Sequence, residues 1–144
     1  MPARPLLLFL LSLLTFSGSV WGYPSHFEFR SGQAFAFVGD ETTYDGRYSQ
    51  YVENFFYTRY PDKRLYFYNA GCKNDTAQDV LDRLQEDIVD RKVDYALIML
   101  GTWDGEFEDF TQHRFENYQE NMRLILDRLK RARCYPILMS PPMF

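Results

Sequence analysis

The sequence predicts an α/β protein, with helices packed on both faces of a parallel sheet of about four strands. Three observations carry that expectation. Strand and helix patterns alternate three times along the chain, which implies right-handed βαβ units. The run Tyr95-Ala96-Leu97-Ile98-Met99-Leu100 is apolar without a break, as in a strand covered on both sides. The segments after three of the strands are rich in glycine and short polar residues, where such a sheet presents its ligand crevice.

The first strand is read over Ala34 to Val38, followed by Gly39-Asp40-Glu41 and the start of a helix. Tyr48, Tyr51, Val52, Phe55 and Phe56 recur at i, i+3, i+4, i+7 and i+8, one face of that helix. Pro61-Asp62-Lys63 ends it, because proline disfavours helix in the residue before it. Leu65 to Tyr68 is the second strand and runs into Asn69-Ala70-Gly71. Asp75 or Thr76 can cap the next helix, with Gln78 completing a capping box for Asp75. Its apolar stripe is Ala77, Val80, Leu81, Leu84 and Ile88. After the Tyr95–Leu100 strand, a loop from Gly101 to about Gln112 leads to a third helix. Phe115, Tyr118, Met122, Ile125, Leu126 and Leu129 are expected to face inward there. Tyr135 to Met139 is the fourth strand, stopped by Ser140-Pro141-Pro142.

Composition bounds the function. A formal net charge of −4, with 25% charged and 46% hydrophobic residues, is that of a globular chain. It argues against a nucleic-acid partner, which needs a basic face. Arg4, the apolar run Leu6 to Phe16 and the small residues of Ser17 to Gly22 make residues 1–22 a secretory signal peptide cleaved near Gly22. The protein is therefore expected to be exported, secreted or periplasmic. No other segment is long and apolar enough for a membrane span. Residues 23–144 then form one domain. Cys72 follows one strand and Cys134 precedes another, at opposite ends of a parallel sheet. A strand's length of roughly 15 Å separates them, against the roughly 7 Å that a disulfide allows, so two free thiols are expected.

Chemistry in such a sheet gathers where the turns converge: Gly39-Asp40-Glu41, Asn69 to Thr76, and Gly101-Thr102-Trp103-Asp104-Gly105. Glu41 at a helix start is favoured by the helix dipole. Asp40, Glu41, Asp45 and Asp104 are candidates for an oxygen-rich cation site, and a carboxylate pair is the residue type needed for acid–base attack on a glycosidic bond. Asn74-Asp75-Thr76 matches the N-glycosylation sequon, although helix capping accounts for the same residue types. The acidic run Asp104 to Asp109 reads as a solvated loop at the rim. His26 and His113 read as solvated structural histidines.

Three blocks of residues, in order and at matching spacing, resemble the SGNH (GDSL-type) hydrolases. They are Phe37-Val38-Gly39-Asp40 with Thr43 and Tyr48, Asn69-Ala70-Gly71 with Asp75-Thr76-Ala77, and Met99-Leu100-Gly101-Thr102 with Asp104. The resemblance spans about residues 33–144. It implies a three-layer, flavodoxin-like sandwich and hydrolysis of carboxylic esters, acyl or acetyl groups on sugars or lipids, without a metal or other cofactor. Carried over position by position, it puts Glu41 where the family has its nucleophilic serine. Asn74 falls on the glycine whose N–H helps hold the oxyanion, and Trp103 on the asparagine that donates to it. The general-base histidine of a C-terminal Asp-x-x-His motif has no equivalent in these 144 residues.

No catalytic residue is then intact, while Asp40, Gly71, Gly101 and Asp104 remain as candidate binding positions. A carboxylate is a poor nucleophile toward esters, and its charge repels a developing oxyanion. Three readings follow: an ester hydrolase relative with impaired chemistry, a binding module whose crevice holds a small ester or carbohydrate against Trp103, Tyr44 and Phe107, or the N-terminal portion of a longer hydrolase.

Overall fold

The computed structural model describes residues 29–141. The expectations for residues 1–22 and His26 fall outside that range. Four strands, β1 (Ala34–Gly39), β2 (Tyr66–Gly71), β3 (Tyr95–Met99) and β4 (Tyr135–Leu138), form one sheet in the order β2-β1-β3-β4. Every neighbouring pair is parallel, with Phe35 in register with both Phe67 and Tyr95. The helices are α1 (Glu41–Tyr44), α2 (Arg47–Arg59), α3 (Ala77–Leu84), extended by a π-helical turn at Gln85–Val89, and α4 (Gln112–Arg131). This is the order of the first four strands of a flavodoxin-like sheet, as expected.

Alternation along β1 divides the core into two layers. Phe35 and Phe37 point to one side, where aromatic rings meet ring to ring: Phe35 stacks on Phe67 at 5.2 Å and on Tyr95 at 4.8 Å, and Phe56 of α2 packs on Phe67 at 5.7 Å. Ala36, Val38, Ala96 and Ile98 point to the other side. Val80, Leu84 and Ile88 cover them from α3 and its extension, and Ile125 and Leu129 from α4. Small residues on the strands let two helices approach there, while large rings fill the layer that α2 alone covers. Burying a side chain such as Phe37 or Ile125 stabilises the fold by about 1.5–3 kcal/mol.

Three expectations need correction. On α2, Tyr51 and Phe55 point outward, 77% and 56% exposed. The helix begins after Gly46, whose left-handed φ of 73° re-aims the chain. The inward line becomes Tyr48, Ser49, Val52 and Phe56, and Ser49 donates to the Gly46 carbonyl at 2.9 Å. On α4, Phe115 is 41% exposed, one turn ahead of where the helix reaches the core. Of the two expected caps for α3 it is Thr76, while the capping box is closed by Asp79 rather than by Asp75 with Gln78: the Asp79 backbone N–H donates to Thr76 and the Asp79 carboxylate accepts from the Thr76 backbone. Asp75 is instead taken by Arg83.

Cys72 is exposed, Cys134 is buried, and both are unpaired. Among the described residues no helix is long and apolar enough to cross a membrane.

Candidate functional site

The three turns do converge at the carboxyl ends of β1, β2 and β3, and glycine makes the convergence possible. A Cβ on Gly39 would collide with Thr43 and the Met99 carbonyl, and one on Gly71 with the Thr43–Tyr44 backbone. The chain after β1 can therefore fold into α1 directly against both neighbours. Asn69 ties the same corner: its amide donates to the Thr43 carbonyl at 2.7 Å while its oxygen accepts from Gly71 N–H at 2.9 Å.

In the first turn, Asp40 is 1% exposed and caps α1 by accepting from Thr42 N–H at 3.1 Å. Its other oxygen is buried without a partner. Glu41 is the first residue of α1, where a carboxylate suits the helix dipole. Its Oε2 accepts a short hydrogen bond from the Trp103 indole Nε1. Two residues expected at family positions, one from the first turn and one from the third, are thus joined side chain to side chain.

In the second turn, Asn74 is exposed with a left-handed φ of 63°, a region where a side chain with Cβ is costly and asparagine is tolerated better than most. Arg83 then anchors the turn from α3. It donates to Asp75 Oδ2 at 2.6 Å, to the Ala70 carbonyl at 2.7 Å and to Asp87 Oδ2 at 2.5 Å. Burial is the main influence on Asp75 and raises its pKa, with Arg83 opposing it.

In the third turn, Gly101 adopts a φ of 126°, and Asp104 Oδ1 accepts from Ala77 N–H at 2.9 Å, linking this turn to the start of α3. Asp104 Oδ2 and Thr102 Oγ1 are buried without partners. Burial pushes the Asp104 carboxyl above its ordinary value, with the hydrogen bond from Ala77 opposing it. Tyr118 of α4 donates to the Leu100 carbonyl at 3.3 Å, and its phenol is pushed upward by burial and by Asp104.

Trp103 and Phe107 meet edge to face at 4.8 Å, whereas Tyr44 is half exposed and lies under Lys73 at 5.0 Å. The three expected aromatic residues therefore do not form a single wall. Two open clefts flank Asp104 and Tyr118. One, about 470 Å³, lies between the third turn and α4 beside Phe110 and Phe115; the other, about 480 Å³, is walled by Trp103, Gln78 and Asn117. Glu41 lines neither.

The candidate cation site is overturned: among the described residues no group of three or more His, Cys, Asp or Glu side chains is placed to hold a metal ion. Asp40 is turned to cap α1, Glu41 to Trp103 and Asp104 to the start of α3. His113 is exposed on the first turn of α4, 3.4 Å from the Asn117 amide. The acidic loop is solvated over residues 105–109 as expected, whereas Asp104 turns inward, and Arg114 draws Glu106 and Glu108 together. Sequence reasoning missed Arg83 and Tyr118 as site-forming groups. Arg83 lies between the apolar positions Leu81 and Leu84, and an interior helix arginine carries no pattern that names its partners.

These turns cap one end of a parallel β2-β1-β3-β4 sheet, so the fold class is α/β. No family model matches the sequence. It is 26% identical over 132 residues to an acetylxylan esterase of Geobacillus stearothermophilus, covering 77% of this chain and 60% of that enzyme. The solved structure of that organism's acetylxylan esterase Axe2 superposes with a TM-score of 0.69 at 25% identity, over 78% of this chain and 61% of Axe2. Described catalytic mutants of Axe2, with an aspartate, a histidine or a serine replaced by alanine, superpose with TM-scores of 0.71, 0.70 and 0.69. An α/β hydrolase from a Lake Arreo metagenome shares the fold at 22% identity and a TM-score of 0.63. In sequence and fold the chain is therefore similar to ester hydrolases. It spans about three fifths of the length of the relatives it matches.

Proposed function

We propose that this chain is an exported esterase-family protein in which the hydrolytic centre is impaired. The observation that carries the reading is the Glu41–Trp103 hydrogen bond. By the family resemblance, Glu41 stands at the nucleophile's position and Trp103 at that of a side-chain oxyanion donor. Here the two side chains satisfy each other. A carboxylate held by an indole N–H offers no hydroxyl to activate and places negative charge where an oxyanion would develop. The loss of one oxyanion donor alone typically costs about 2.7–4 kcal/mol of transition-state stabilisation. Neither Asp40 nor Asp104 supplies a substitute nucleophile, since each already accepts from a backbone N–H at the start of a helix.

The direct test is hydrolysis of p-nitrophenyl acetate by the purified chain. Turnover is expected at the buffer rate, and Glu41→Ser alone is expected to leave it there, because Trp103 still fills the donor position. Turnover by the wild-type chain that disappears in Glu41→Gln would sink the proposal. Export rests on the pattern of residues 1–22; N-terminal sequencing of material recovered outside the cytoplasm is expected to begin at Tyr23, and a chain retained inside the cell with its leader would contradict it.

A second reading is favoured by the cleft beside Trp103. The exposed edge of the Trp103–Phe107 pair and the amides of Gln78 and Asn117 suit an acetylated sugar bound without cleavage. Calorimetric titration with acetylated xylo-oligosaccharides is expected to give heat that Trp103→Ala abolishes. No heat with the wild-type chain would remove this reading.

A further inference from the structure

The loop between β3 and α4 carries backbone strain that the esterase reading leaves unexplained. Glu106 and Phe107 both adopt left-handed conformations, with φ of 55° and 54°. That region crowds Cβ against the backbone and is rare for a bulky residue such as phenylalanine. Two in succession persist only where surrounding contacts hold them. The loop's own backbone gives two hydrogen bonds: Glu106 N–H donates to the Trp103 carbonyl at 3.1 Å, and Glu108 N–H to that of Gly105 at 3.2 Å.

Arg114, on the first turn of α4, supplies the rest. Its Nε lies 3.1 Å from Glu106 Oε2, its Nη2 donates to Glu108 Oε2, and its Nη1 donates to the Asp109 carbonyl at 3.0 Å. One planar guanidinium thus engages three residues of the loop with all three of its nitrogens, a fork that lysine cannot copy. Both glutamate side chains are 64% exposed, so these pairs face water, are individually weak and are screened by salt. What they return is of the same order as the cost of the two left-handed residues. The loop is poised, not locked.

Its position matters because it carries the aromatic wall of the site. Phe107 meets Trp103 edge to face at 4.8 Å, and the Trp103 indole donates to Glu41. Arg114 itself stands on the walls of both clefts that flank Asp104 and Tyr118. A relaxed loop takes Phe107 off the Trp103 ring and frees Trp103 to leave Glu41. Every contact in this chain of dependence lies between residues 41 and 114, among elements that the structure describes.

We infer that Arg114 is a positioning residue, a clamp that holds the Trp103–Asp109 loop as a strained strap and so keeps Trp103 on Glu41, and that weakening the clamp opens the strap. The strap's part in sugar binding rests on the second reading above, whereas its opening is read without any ligand. The sequence holds two tryptophans, Trp21 and Trp103, so in the full chain carrying Trp21→Phe the indole fluorescence reports Trp103 alone. Acrylamide quenching of that signal is expected to rise at least about twofold in Arg114→Met, with emission moved to the red, and Arg114→Lys should fall between, since it keeps the charge without the fork. Raising sodium chloride to about 1 M should bring the chain with Arg114 intact toward the Arg114→Met level and leave Arg114→Met itself unchanged. The salt comparison needs no substitution at Arg114, so it decides the matter even where that variant fails to fold. Quenching unmoved by salt overturns the inference, and so does a folded Arg114→Met with the quenching of the parent. Opening the strap should also weaken binding of acetylated xylo-oligosaccharides at least about tenfold, because the cleft wall is no longer preorganised. Quenching that responds as expected in a chain that binds no sugar removes the binding reading alone.

Discussion

Asn74 and Asp104 show how single positions in this protein serve two demands. Asn74 holds a φ of 63°, which most residues adopt only at a cost. Asn74→Ala is expected to destabilise the fold by about 1–2 kcal/mol, and Asn74→Gly to be close to neutral, as read by urea denaturation. Equal losses in the two variants would mean that a side-chain contact, not backbone conformation, selects asparagine. Asp104 has a carboxyl whose folded pKa is raised by burial, so the folded protein favours its protonated form. Its contribution to stability is therefore largest at low pH and is lost as pH rises from the ordinary carboxylate value through the folded one. Asp104→Asn keeps an oxygen for Ala77 N–H and cannot ionise. Its stability relative to the wild type should rise across that window, and a pH-independent difference would contradict the assignment.

At the scale of elements, the strands were the most legible. Each observed strand begins within one residue of its expectation, because an unbroken apolar run or strict alternation marks them directly. Helix faces were read less well. Five apolar positions on α2 suggested one inward stripe, but Gly46 re-aims the helix and only part of that stripe meets β1 and β2. Periodicity says that a helix has an apolar side; it does not say how wide a contact the partner offers. Arg83 is the clearest case of an element-level role hidden from sequence. It fastens α3 to Asp75, Asp87 and the end of β2. Replacing it with methionine leaves Asp75, only 8% exposed, without its counter-ion, and should cost about 2–3 kcal/mol in denaturant unfolding. A cost within error of zero would show that water compensates Asp75.

For the molecule as a whole, the buried layer between the sheet and the α3–α4 pair holds a group that couples stability to alkaline pH. Cys134 is 3% exposed within it, and burial pushes its thiol from 9.0 up to about 12. The neutral thiol is the form that the folded state holds. Its contribution is therefore intact below pH 9 and is lost as pH climbs toward 12. Cys134→Ala should flatten part of the fall in melting temperature over that range; an unchanged slope would assign the loss to the half-buried phenols of Tyr48 and Tyr118, which are raised in the same direction.

By itself the sequence determined the parallel α/β architecture, the order of its elements and the three turns that meet at one end of the sheet. Those features follow from local patterns: apolar runs, helical spacing, and glycine where chains approach closely. It also marked Glu41, Asn74 and Trp103 as departures from the family resemblance, because a residue type at a spaced position needs no coordinates to be read. Only the tertiary structure decided that Glu41 and Trp103 bond to each other, that Asp104 accepts from the start of α3 from another turn, and that Arg83 holds the second turn in place. Each of these links residues at least eight positions apart, and the two that join different turns span 62 and 27 positions. Side-chain partners at such separation depend on how elements pack against one another, and no short-range pattern encodes that.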